Sequence, residues 1–99
     1  MSSTTLQKAI PALETQICAL EELVFQENSR KTHDFPTAEL LQEYKNSLIS
    51  RCNFTEQVIV FIKELQLTYS DNETLNVYYN RYSECLNQLQ KIYNELGTF

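Results

Sequence analysis

Hydrophobic positions fall into three long segments of helical period, separated by two short polar breaks. In the first, Leu6, Ile10, Leu13, Ile17, Leu20 and Val24 recur at alternating steps of four and three, the spacing of a coiled-coil seam. In the second, Leu40, Leu41, Tyr44, Leu48, Ile49, Cys52, Val58, Ile59, Ile62 and Leu65 form a stripe too wide for one neighbouring helix. Inside it, Val58-Ile59-Val60-Phe61-Ile62 is an unbroken apolar run. At helical spacing those side chains point in all directions, so this part of the helix needs cover on more than one side. The third segment has the cleanest seam: Leu75, Tyr78, Tyr82, Cys85, Leu89, Ile92 and Leu96. Tyr79, Leu86 and Tyr93 widen it on one side, seven residues apart.

These patterns predict helices over about 4–28, 37–69 and 73–96. Thr4 and Gln7 form a capping box at the first start, the hydroxyl serving a free N–H and the amide reaching back. Pro11 either kinks the first helix or precedes its start. The seam keeps its phase through the proline, which favours the kinked helix despite the lost hydrogen bond. Asn28 to Phe35 breaks the pattern, and Pro36 fixes the restart. Asn53-Phe54-Thr55 is the weakest helix-forming patch of the second helix and a place for a bend. Ser70 and Glu73 give the clearer capping box, and Gly97 stops the third helix. Short connections force antiparallel neighbours. The expected fold is one all-α domain over residues 1–99, three antiparallel helices running up-down-up, with the second longest and central.

Composition supports that fold. One Gly and two Pro in 99 residues are too few for a β-rich chain, and 42% apolar residues oppose global disorder. Net charge is −5, with acids spread throughout, so nucleic acid and anionic membranes are poor partners. Arg30, Lys31 and His33 are too few to reverse this. No apolar run approaches the roughly 20 residues of a membrane span. Met1–Thr5 lacks the basic and apolar regions of a signal peptide. Cys18, Cys52 and Cys85 are odd in number and match no metal spacing, which suggests a reducing compartment, cytoplasm or nucleus. The glycosylation patterns at Asn53 and Asn72 then read as coincidence.

Catalytic chemistry is not legible. His33, the one histidine, lies in a connection, and a Cys–His pair would need a helix-buried cysteine to reach it. Glu14, Glu21, Glu22, Glu39, Glu43, Glu56, Glu64, Glu84 and Glu95 fall mostly off the seams and read as solvated faces rather than metal ligands. A Gly-rich phosphate loop cannot be built from Gly97 alone. The chain is therefore read as a non-enzyme with no cofactor, metal or small-molecule substrate.

The expected function is a non-catalytic scaffold or adaptor subunit that binds partner proteins through exposed apolar helix faces, as a homo- or hetero-oligomer. In layout the chain resembles small helical subunits of eukaryotic multiprotein machines; no motif carries that resemblance and no functional residue follows from it. The alternatives are a secreted helical signalling factor that uses the two sequons, and a small ligand-binding helical bundle. The turns also predict a register. Facing residue numbers total about 142 on helices two and three and about 65 on helices one and two, for antiparallel neighbours. By that rule helix one ends near Ile59, and the last ten residues of helix two project about 15 Å beyond it. This uncovered tip is the expected partner-binding site: Phe61, Leu65, Tyr69, Leu75, Tyr78 and Tyr79. Tyr44, Tyr82 and Tyr93 are read instead as core residues whose hydroxyls reach the surface.

Overall fold

A computed structural model describes residues 3–29 and 36–96, with side chains from Leu6 onward and Ser29 excepted. The described residues form three helices and no strand: α1 (Ser3–Ser29), α2 (Ala38–Thr68) and α3 (Glu73–Glu95). The longest, α2, is central in the order of the chain, and α3 is the helix on which the other two pack. They make a rod 55 × 20 × 17 Å.

α1 runs unbroken through Pro11, as the seam's phase predicts. The Thr4 side chain and Gly97 lie outside what is described, as does the connection holding Arg30, Lys31 and His33. α2 starts at Thr37, whose hydroxyl accepts from the Leu40 N–H at 3.2 Å. It stays helical through Asn53-Phe54-Thr55. The second turn corrects the predicted cap. Asn72, not Ser70, is the N-cap of α3, its Oδ1 accepting from the Leu75 N–H at 3.1 Å. Tyr69 to Asn72 closes as a four-residue turn through the Asn72 N–H to the Tyr69 carbonyl, which spends Ser70 and Asp71 in the turn itself.

The core follows the seams. All seven α3 seam residues are buried, as are Leu13, Ile17, Leu20 and Val24 of α1. Tyr79, Leu86 and Tyr93 pack partly buried against them. On α2 the buried line is Leu41, Leu48, Thr55 and Ile62 at steps of seven, flanked by Val58, Ile59 and Leu65. Leu40 and Ile49, part of the predicted stripe, are exposed. Thr55 was no part of that stripe, yet it is fully buried. Its hydroxyl donates to the Arg51 carbonyl at 2.7 Å, which satisfies it within the helix. Glu27 continues the α1 seam three residues after Val24, buried, and accepts from the Tyr44 hydroxyl. Tyr82 departs from expectation: its hydroxyl stays inside and donates to the Leu13 carbonyl at 2.9 Å.

The closest helix packing is α2 on α3, then α1 on α3; α1 and α2 approach each other at few points. The α2–α3 register is the predicted one. Gln66 hydrogen-bonds Asn76 and the Lys63 ammonium lies over the Tyr79 ring, each pair totalling about 142. The α1–α2 register is not. Tyr44 meets Glu27, a total of 71, which carries α1 about six residues, roughly 9 Å, further along α2 than the turn rule predicts. The rule fails because α1 takes its axial position from α3, its closer neighbour, rather than from the connection to α2.

Candidate partner-binding surface

Polar side chains lock α1 to α3. Arg81 forks Glu21, Nε to Oε2 at 3.0 Å and Nη2 to Oε1 at 2.6 Å, the bidentate geometry that suits guanidinium to carboxylate. Its Nη1 lies 3.7 Å from Glu14 Oε1. Glu14 also accepts from the Tyr78 hydroxyl at 2.8 Å and from the Cys18 thiol at 2.9 Å. The guanidinium sits 5.9 Å from the centre of the Tyr78 ring. Glu14 and Glu21 thus stand on the α1–α3 face rather than on a purely solvated one.

The electrostatics of this cluster hold each group in its neutral-pH state. The Cys18 thiol, then the Tyr78 hydroxyl and the Arg81 charge, hold Glu14 below the usual carboxylate range. The Arg81 hydrogen bonds do the same for Glu21. Hydrogen bonding to Glu14 pushes the Cys18 thiol up, and burial followed by Glu14 pushes the Tyr78 phenol up. Burial also raises Cys52, and raises Cys85 to about 11. A reactive cysteine needs the opposite shift, toward thiolate. The arrangement is a clamp built from charge-assisted hydrogen bonds. Among the described residues no group of three or more His, Cys, Asp or Glu is placed to hold a metal ion.

Of the predicted tip residues only Tyr78 takes part in this clamp. Leu65, Leu75 and Tyr78 are buried, Leu75 completely. Tyr69 and Tyr79 are half-buried against the core, and Phe61 is exposed. The tip is not bare, because α1 reaches it: Ala9 and Ala12 line one cavity with Phe61.

What stays open is the side between α1 and α2. Two adjoining cavities of about 450 and 330 Å³ lie there, both bordered by Gln16 and Phe54. Leu20 and Tyr82 lie at the base of the first, Leu13 and Val58 at the base of the second. The α1 wall presents Ala9, Ala12 and Ala19; the α2 wall presents Ser47, Ser50, Arg51, Phe54, Gln57 and Phe61. Phe54 and Phe61 are seven residues apart and 50% and 42% exposed. A second apolar line, Ile49, Val60 and Leu67, runs along the outer side of α2 at steps of eleven and seven, with Leu67 86% exposed. The groove is not legible in the sequence, because alanine and serine carry no strong hydropathy signal. Its one sequence trace is Phe54 and Phe61 lying outside the seam at heptad spacing.

No described helix is long and apolar enough to cross a membrane. Comparison with protein-family models, with characterised proteins and with solved structures finds no match to this chain.

Proposed function

We propose that the chain is a non-catalytic helical scaffold or adaptor subunit that binds partner proteins through the apolar faces its own bundle leaves uncovered, in an intracellular complex. The observation that carries this reading is the exposure of large apolar side chains in two lines on one helix, Phe54 with Phe61 and Ile49 with Val60 and Leu67. Exposed apolar residues are ordinary when scattered, whereas contiguous lines on a helix are the form that helix-to-helix recognition uses. The cysteines support a structural role, since each thiol is pushed away from its reactive form. Of the residues expected at the tip, Phe61 is an exposed anchor of this surface, whereas Leu65, Leu75 and Tyr78 belong to the core.

The test is capture from the native source with three full-length baits: the unaltered chain, Phe54→Ser with Phe61→Ser, and Ile49→Ser with Val60→Ser and Leu67→Ser. The expected result is a stoichiometric protein partner that at least one surface variant loses while its helix content is unchanged. No stoichiometric partner, or one that both variants retain, overturns the reading.

A further inference from the structure

We propose that the open side between α1 and α2 is the seat of a fourth helix, supplied by a partner protein, which lays large apolar side chains beside Phe54 and Phe61 and sets a carboxylate against Arg51. This rests on the binding-subunit function above and specifies its site.

Three observations carry it. The first is the layout. α1 and α2 both pack on α3 and hardly on each other, so the helices occupy three corners of a four-helix arrangement. The vacant corner is a trough along the helix axes. From Ser47 to Phe61 its α2 wall runs about 21 Å, close to four helical turns. The second is the shape of the walls. Small side chains at Ala9, Ala12 and Ala19 let a helix approach α1 closely, since interaxial distance depends on the side chains at the contact. Phe54 and Phe61 stand opposite as ridges spaced to meet a helix of matching period.

The third is charge, and it selects the occupant. Among the described residues no Asp or Glu borders either cavity, whereas Arg51 does. Among the described residues Arg51 makes no ion pair. An apolar helix laid there would strip water from that guanidinium, so the occupant must bring the carboxylate. A second copy of this chain cannot do so groove to groove. A two-fold interface apposes the same patch to itself, and this patch contains no acid. An amphipathic helix of a different protein, with an acidic residue near its middle, meets both requirements.

The test pans a phage-displayed library of amphipathic helices about six turns long against the full-length chain, with the apolar stripe held aliphatic and flanking positions randomised. Binders are expected to share Asp or Glu at one position and to bind one to one. Their affinity should fall at least about tenfold against Ala19→Trp and against Ala12→Trp, which fill the trough from its exposed wall, each variant checked for unchanged helicity and melting. Panning on Arg51→Glu should select Lys or Arg at the same position, a swap that mere loss of folding cannot produce. The proposal is overturned by an absence of binders, by binders indifferent to both tryptophans or lacking the charge preference, or by a dimer of the chain that either tryptophan dissociates. If native capture is lost only in the Ile49, Val60 and Leu67 variant, the binding function stands and this seat for it falls.

Discussion

Tyr82 and Cys85 sit one turn apart on α3, both buried. Burial pushes the phenol from an ordinary 10.0 up to about 12 and the thiol from 9.0 up to about 11. Folding keeps both protonated where the unfolded chain would release its protons. Their contribution is therefore complete below about pH 9 and is lost as pH rises through the raised values. Urea midpoints are expected to drop between about pH 9 and 12, and Tyr82→Phe with Cys85→Ala should flatten that slope whatever it does to the neutral-pH midpoint. A slope unchanged by the double variant would remove these two groups from the alkaline transition. Glu14 and Glu21 act with the opposite sign, stabilising above the ordinary carboxylate range and losing that effect as pH falls through their lowered values. At this scale the sequence was readable wherever residue type and position agreed. Leu75 or Ile92 is apolar at a seam position and buried; Thr55 and Glu27 occupy seam positions but are polar, and only their hydrogen bonds explain their burial.

Among the elements, the α2–α3 hairpin is the part most fully anticipated. Its two seams face each other across a turn of a few residues, so local spacing sets the register. The cap shows the limit of motif reading. Ser70 with Glu73 fits the capping-box pattern, but Asn72 also favours an N-cap and lets the turn close one hydrogen bond earlier. Asn72→Ala should cost about 1 kcal/mol, while Ser70→Ala should stay within about 0.5 kcal/mol, measured by urea melts. The reverse order would restore Ser70 as the cap. The placement of α1 was not legible for a different reason. Its partners Tyr78, Arg81, Tyr82 and Gln88 lie 60 to 69 residues away in sequence, and no local pattern announces a pairing at that distance.

For the molecule as a whole, an incomplete ring of helices explains both the buried core and the uncovered side. The core closes on α3, so the bundle does not need the vacant corner filled in order to stay folded. Phe54→Ser with Phe61→Ser should then change stability by no more than about 0.5 kcal/mol each while reducing hydrophobic-dye binding. Sedimentation should show no greater self-association than the unaltered chain at equal concentration. A loss of several kcal/mol would instead make the two phenylalanines part of the core.

The pairing of α1 with α3 also sets a timetable for synthesis. α1 leaves the ribosome first, but the helix that receives it is made some 60 residues later. At about 5–20 residues per second, its seam of Leu13, Ile17, Leu20 and Val24 stays exposed for roughly 3–12 seconds. Through that interval the seam of α1 lacks the helix that covers it in the finished bundle, so its early shelter has to come from α2, from a chaperone or from another protein.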